Sequence, residues 1–99
     1  MKEIKQMLID LGFRIKPIGL LYWIDTFEYI RKTPNVYHMM EIYKHISSKR
    51  NKSVSAIERA MRYALEPAEE KIQQKYNYNK KIDNMTFINL IRFETKQEA

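Results

Sequence analysis

Glu58, Arg59 and Arg62 stand close together in the chain and carry side chains able to read nucleic acid. An arginine guanidinium donates hydrogen bonds to guanine or to a phosphate, and a glutamate carboxylate accepts one from cytosine N4. All three fall in Ser53–Glu66, SVSAIERAMRYALE. Its apolar residues Ile57, Ala60, Met61, Ala64 and Leu65 recur at spacings of 3, 4, 7 and 8, the period of one side of a helix. The opposite side carries Glu58, Arg59, Arg62, Tyr63 and Glu66. Such a helix could lie in a DNA major groove, or it could be an ordinary surface helix. Either Ser53 caps a helix that begins at Val54, or Ser55 and Glu58 form a capping box.

The charge around this stretch favours a polyanion. The chain has 99 residues, a net charge of +6 and a pI near 9.6. Between Lys44 and Arg62, six basic residues (Lys44, Lys49, Arg50, Lys52, Arg59, Arg62) face a single acid, Glu58, a local net of +5. Concentrated in one segment, these cations form an electrostatic footprint for phosphates, although a merely solvated basic face has the same composition.

Other chemistries find little support. With no cysteine there is no thiolate zinc site, disulfide frame or cysteine nucleophile, and that composition fits a reducing cytoplasm. His38 and His45 are seven residues apart, about 10 Å of helical rise, too far to share an ion. No glycine-rich phosphate loop, Ser-His-Asp order or HExxH motif occurs. Asp10, Asp25, Glu28 and Glu41 read as dispersed acids on helices. The expectation is therefore no catalytic site, no cofactor, no metal and no small-molecule substrate. Tyr22, Trp23, Tyr29, Tyr37 and Tyr43 occur at helical spacings among leucines and isoleucines, so they read as packing residues rather than base-stacking platforms.

The elements that must position the candidate residues are helical. An apolar content of 44% with 30% charged residues is a globular balance, and the length suits one domain, 1–99. Ile4, Met7, Leu8 and Leu11 mark a first helix ended by Gly12. An extended connector to Pro17 follows. The next helix runs to about Arg31, with Leu20, Leu21, Ile24, Phe27 and Ile30 as its core face and Tyr22, Trp23 and Tyr29 around the border. Val36–Ile46 resumes the helical pattern and either continues towards Arg50 or breaks near Lys44. Asn51 suits the turn that follows. Pro67 predicts a kink or break at Glu66, and then a helical stretch to about Lys75. Tyr76–Lys81 reads as a loop. Asp83 or Asn84 caps a last helix, about 84–94, that buries Phe87, Ile88, Leu90 and Ile91, with a frayed tail from Thr95. The longest apolar run, Ile18–Ile24, has seven residues against the roughly 20 of a membrane span, and no apolar signal-peptide core follows Met1. The predicted fold class is all-α, a compact bundle of about six helices with a helix-turn-helix at about 42–66.

The run ISSKRNKSVSAIERAMRYALE resembles the helix-turn-helix of the C-terminal effector domain of the sporulation master response regulator of endospore-forming Firmicutes. That family reads S-x-V-E-R-A-I-R-H-A-I-E where this chain has Ser55, Ile57, Glu58, Arg59, Ala60, Met61, Arg62, Tyr63, Ala64, Leu65 and Glu66. Leu11-Gly12, Ile18–Trp23 and Asn84–Ile88 are similar to further family segments in the same order. The resemblance spans roughly Ile4–Glu94. It departs at Ala56, where the family has an arginine, at Arg50, where it has an aromatic, and at Pro67, where the family's helix continues. No phospho-acceptor receiver domain lies within the 99 residues.

The resemblance implies a six-helix-type DNA-binding domain of a transcription regulator, acting in the cytoplasm and able to pair on DNA through its last helix. By position, Glu58 corresponds to the family's base-reading glutamate, and Arg59 and Arg62 to its neighbouring arginines. The expected interface is double-stranded DNA held by Ser55, Ala56, Glu58, Arg59, Arg62 and Tyr63 at base edges or nearby phosphates. Lys49, Arg50, Lys52 and Ser53 are expected on the phosphate backbone. The competing reading is an interaction module that dimerises with a full-length regulator, with weak or no specific DNA binding.

Overall fold

Fifteen residues from Ile18 to Lys32 form the helix on which the others pack, α2. The computed structural model describes residues 3–35 and 38–98, with side chains up to 94. Before α2 comes α1 (Ile4–Asp10); after it come α3 (Met39–Arg50), α4 (Val54–Leu65), a 3-10 turn (Glu66–Ala68), α5 (Glu69–Tyr76) and α6 (Asn84–Glu98). There is no strand among the described residues, and α4, the 3-10 turn and α5 follow one another without a loop. The Cα radius of gyration is 12.8 Å, close to the ~13 Å of a 100-residue globule.

Pro17 holds an extended backbone (φ −62°, ψ 138°) and so starts α2, while Arg31 and Lys32 sit favourably at its negative end. Leu20, Trp23 and Phe27, at i, i+3 and i+7, line its buried face. Trp23 and Tyr22 depart from the border role expected of them: Trp23 is 0% exposed and Tyr22 is buried, whereas Ile24 and Ile30 are only half-buried. A tertiary partner makes the burial of the indole N–H possible. Trp23 Nε1 donates to the Met61 carbonyl at 2.8 Å, tying α2 to the middle of α4. Around the indole stand Phe13, Phe27 and Phe87, with ring centroids 5.1–6.1 Å from it. Through this cluster the connector after α1 and the start of α6 pack on α2.

The turns follow their local chemistry. Gly12 takes φ +106°, a conformation glycine adopts at little cost, and a Cβ there would lie 3.3 Å from Ala68 Cα. Asn51 and Asn77 supply the left-handed residues after α3 and α5. α3 runs unbroken to Arg50; the expected start at Val36, like Tyr37, lies outside the described residues. Pro67 sits at the start of the 3-10 turn, where its missing N–H costs little, and the chain continues into α5 without leaving the helical path. Asp83 rather than Asn84 caps α6, its Oδ1 accepting from the Thr86 N–H at 2.8 Å. α6 extends to Glu98, beyond the expected end at 94 and through the tail expected to fray. Of the four residues assigned to its buried side, Phe87 and Ile88 are buried, while Leu90 and Ile91 are half-buried.

Candidate nucleic-acid interface

The turn between α3 and α4 is held at both ends. Ser47 receives the Lys52 N–H on its carbonyl, and its hydroxyl donates to the Lys52 carbonyl. Asn51 (φ 56°, ψ 48°) reverses the chain between them. Ser53 then caps α4, its Oγ accepting from the Ala56 N–H at 3.1 Å. Of the two caps the sequence allowed, the one beginning the helix at Val54 is formed. Ser53 Oγ therefore spends acceptor capacity on the helix end and keeps its hydroxyl proton for another partner.

α4 is amphipathic as its spacing predicts. Ile57, Met61, Ala64 and Leu65 are buried, and Ser55, Ala56, Arg59, Arg62, Tyr63 and Glu66 are exposed. Its most extensive contact is with α2, followed by α3, and it also touches α6. Gly19 makes the approach to α2 possible: a Cβ at that position would fall 2.1 Å from the Ala60 carbonyl oxygen and 2.7 Å from Ala64 Cβ. Small residues on both helices bring the backbones together and so set how far the outer face of α4 projects.

That outer face divides into two stripes. Towards α6, Arg62 Nε is 3.0 Å from Glu58 Oε2, and the guanidinium carbon lies 5.2 Å from the centroid of the Tyr63 ring. The hydrogen bond that Arg62 donates to Glu58 raises the arginine pKa above its ordinary value, so the arginine stays fully charged but already partnered. A cavity of about 180 Å³ borders this stripe, between Glu58, Arg62, Tyr43 and Asn84. Towards α2, Ala56, Arg59, Ala60 and Tyr63 border a wider groove of about 400 Å³ with Pro17, Ile18 and Gly19 on its far side. Arg59 is exposed and makes no ion pair among the described residues.

The other cations are not equivalent. Lys52 is exposed at the turn. Lys49 and Arg50 reach back to α2, where Asp25 is only 2% exposed. Arg50 meets its carboxylate in a fork, Nε–Oδ2 2.7 Å and Nη2–Oδ1 2.9 Å, and Lys49 Nζ lies 3.2 Å from Oδ1. Burial by itself raises the Asp25 pKa; the hydrogen bonds from Arg50 and Lys49 outweigh it and hold the carboxyl below its ordinary value. Asp25 is thus no dispersed surface acid. It anchors the end of α3, and with it the start of the turn, to the central helix. Its signal in the sequence is a lone acid inside the most apolar segment, LLYWIDTF, where an unpaired charge would be expelled.

The two histidines sit in different surroundings. His45 stacks on Tyr29 with ring centroids 3.9 Å apart, and His38 precedes α3 as its exposed N-cap residue. Among the described residues no three His, Asp or Glu side chains gather to hold a metal ion, and no helix is long and apolar enough to cross a membrane. No protein-family model, no curated protein and no solved structure matches the chain.

Proposed function

We propose that the chain binds double-stranded DNA in a sequence-specific way and regulates transcription in the cytoplasm, acting as a binding protein and not as an enzyme. In this reading α3, the turn and α4 form a helix-turn-helix within a six-helix domain like that of the sporulation-regulator effector domains, with α5 counted as a helix of its own. The observation that carries the reading is the outer face of α4. It is a capped helix on a basic turn, and it presents an exposed arginine, Arg59, that makes no ion pair among the described residues, with Ser55, Ala56 and Tyr63 around it. The sequence similarity of SVSAIERAMRYALE to the family's reading helix supports the same assignment.

The phosphate contacts divide by what already holds each cation. Lys52 and the Ser53 hydroxyl lie at the mouth of the turn and are placed on the backbone. Lys49 and Arg50 reach phosphate only by sharing with or leaving Asp25, so their part in binding is smaller than their charge suggests. Glu58 and Arg62 reach base edges with the atoms that their mutual pair leaves free, or by opening it.

The measurement is a fluorescence-polarisation titration of duplex DNA at two salt concentrations, after selection of bound sequences from a random duplex pool. Affinity that prefers particular sequences and falls steeply with salt supports the reading. A second reading keeps the fold and changes the partner: pairing with a regulator, or with another copy, through α6, where Phe93 is 61% exposed. Concentration-dependent self-association with no DNA binding would favour it.

A further inference from the structure

The groove on the α2 side of α4 differs from the rest of the basic surface in being apolar. Pro17, Ile18, Ala56, Ala60 and Tyr63 wall its volume of about 400 Å³. Ile18 and Tyr63, two of its largest side chains, are 56% and 55% exposed. Arg59 is the charged residue of the lining. The chain segments that lead into its walls carry exposed cations: Arg14 and Lys16 precede Pro17 in the connector, and Lys52 lies just before the cap of α4. The acid nearest in the helix, Glu58, faces the other stripe and is tied to Arg62.

This combination selects among occupants. An apolar groove with an arginine in its lining, entered by chain segments that carry further cations, suits a surface that is apolar locally and anionic around it. Duplex DNA presents such a surface in the major groove, where the C5-methyl of thymine is the one apolar group on the base edges and phosphates flank the groove. We propose that Ile18, Ala56 and Tyr63 form a subsite for a thymine methyl group, with Arg59 directed at O6 and N7 of a neighbouring guanine. The proposal rests on the DNA-binding reading above and sharpens it by naming which bases the α2-side stripe reads. Ala56 is then a methyl-reading position in its own right, and its side chain is short enough to let the base edge approach the helix.

The test uses the full chain and a duplex recovered by selection from a random pool. Copies of that duplex carry uracil in place of thymine, one position at a time, which removes the methyl group and leaves the base pairing intact. Fluorescence polarisation should show a loss of about fourfold at the thymine seated in the groove, the magnitude of one buried methyl group. Tyr63→Gln, at an exposed helical position, should shrink that ratio towards one while leaving the salt dependence of binding unchanged. Selective, salt-dependent binding with equal affinity for thymine and uracil at every position overturns the subsite and leaves DNA binding standing. Absence of salt-dependent binding to any duplex up to about 100 µM protein, the weak end of non-specific affinity, overturns the DNA-binding reading and the subsite together.

Discussion

Arg59 and Arg62 are three residues apart on one helix, have the same charge and are both exposed, yet they enter an interface on different terms. Arg62 already shares its Nε–H with Glu58 and brings only its remaining donors to a phosphate or a base unless that pair opens, whereas Arg59 makes no ion pair among the described residues. Arg59→Ala should weaken binding to the selected DNA sequence by about 1–3 kcal/mol, and Arg62→Ala by less, measured by titration at constant salt. Lys52→Ala should act on all sequences alike and lower the salt slope by about one. Asp25 shows the same principle in reverse. Two cations expected on the phosphate backbone are partly neutralised by a carboxylate from another helix. Because its folded pKa is depressed, Asp25 stabilises the fold above its unfolded value, and that contribution disappears as pH falls below about 4 and through the folded value. Asp83, lowered by the hydrogen bonds it accepts from Thr86, likewise loses its contribution as pH falls through its own folded value. Denaturant midpoints followed from neutral to acid pH should therefore fall, and Asp25→Asn should flatten part of that fall. At neutral pH the same variant should lose about 2 kcal/mol, less than a wholly buried pair would, because Lys49 and Arg50 can rehydrate.

Among the elements, α4 was the most legible from sequence and the least self-sufficient. Its 3- and 4-residue apolar spacing and the serine before it specify a capped amphipathic helix without reference to any neighbour. Ser53→Ala should accordingly cost about 1 kcal/mol, visible as a lower thermal midpoint. Where α4 sits is decided by α2. The crossing has no room for a Cβ at Gly19, and the atom in the way is the backbone oxygen of Ala60, which cannot move without moving the helix. Gly19→Ala should cost about 1–3 kcal/mol in a chemical denaturation series and shift the outer face of α4 away from the basic connector. The proline at 67 also shows how context redirects a local signal. A 3-10 turn carries the chain across the proline, and Ala68 within that turn is buried beside Gly12.

On the scale of the whole molecule, a helical globule of one chain with a basic face was readable in advance. Fold class follows from periodicities that each segment carries alone: 3.6-residue spacing, glycine and asparagine at helix ends, and the lack of alternating strands. The cationic segment 44–62 is likewise a property of composition. Other features were not readable, for a physical reason common to all of them. Trp23 looks like a border aromatic until a carbonyl from α4 satisfies its N–H, and Asp25 looks like one of several dispersed acids until Lys49 and Arg50 meet it. Whether a polar group can be buried depends on a partner distant in sequence, and spacing along one helix holds no information about that partner. The two stripes of α4 arise in the same way. The residue types on its outer face were evident from periodicity, but only the packing of α2 and α6 on either side made one stripe an apolar groove beside an arginine with no ion pair and the other a closed Glu58–Arg62 pair. The sequence by itself determined which residues face outward; the tertiary structure decided which of them are still available to a partner, because availability depends on what the neighbouring helices have already bound.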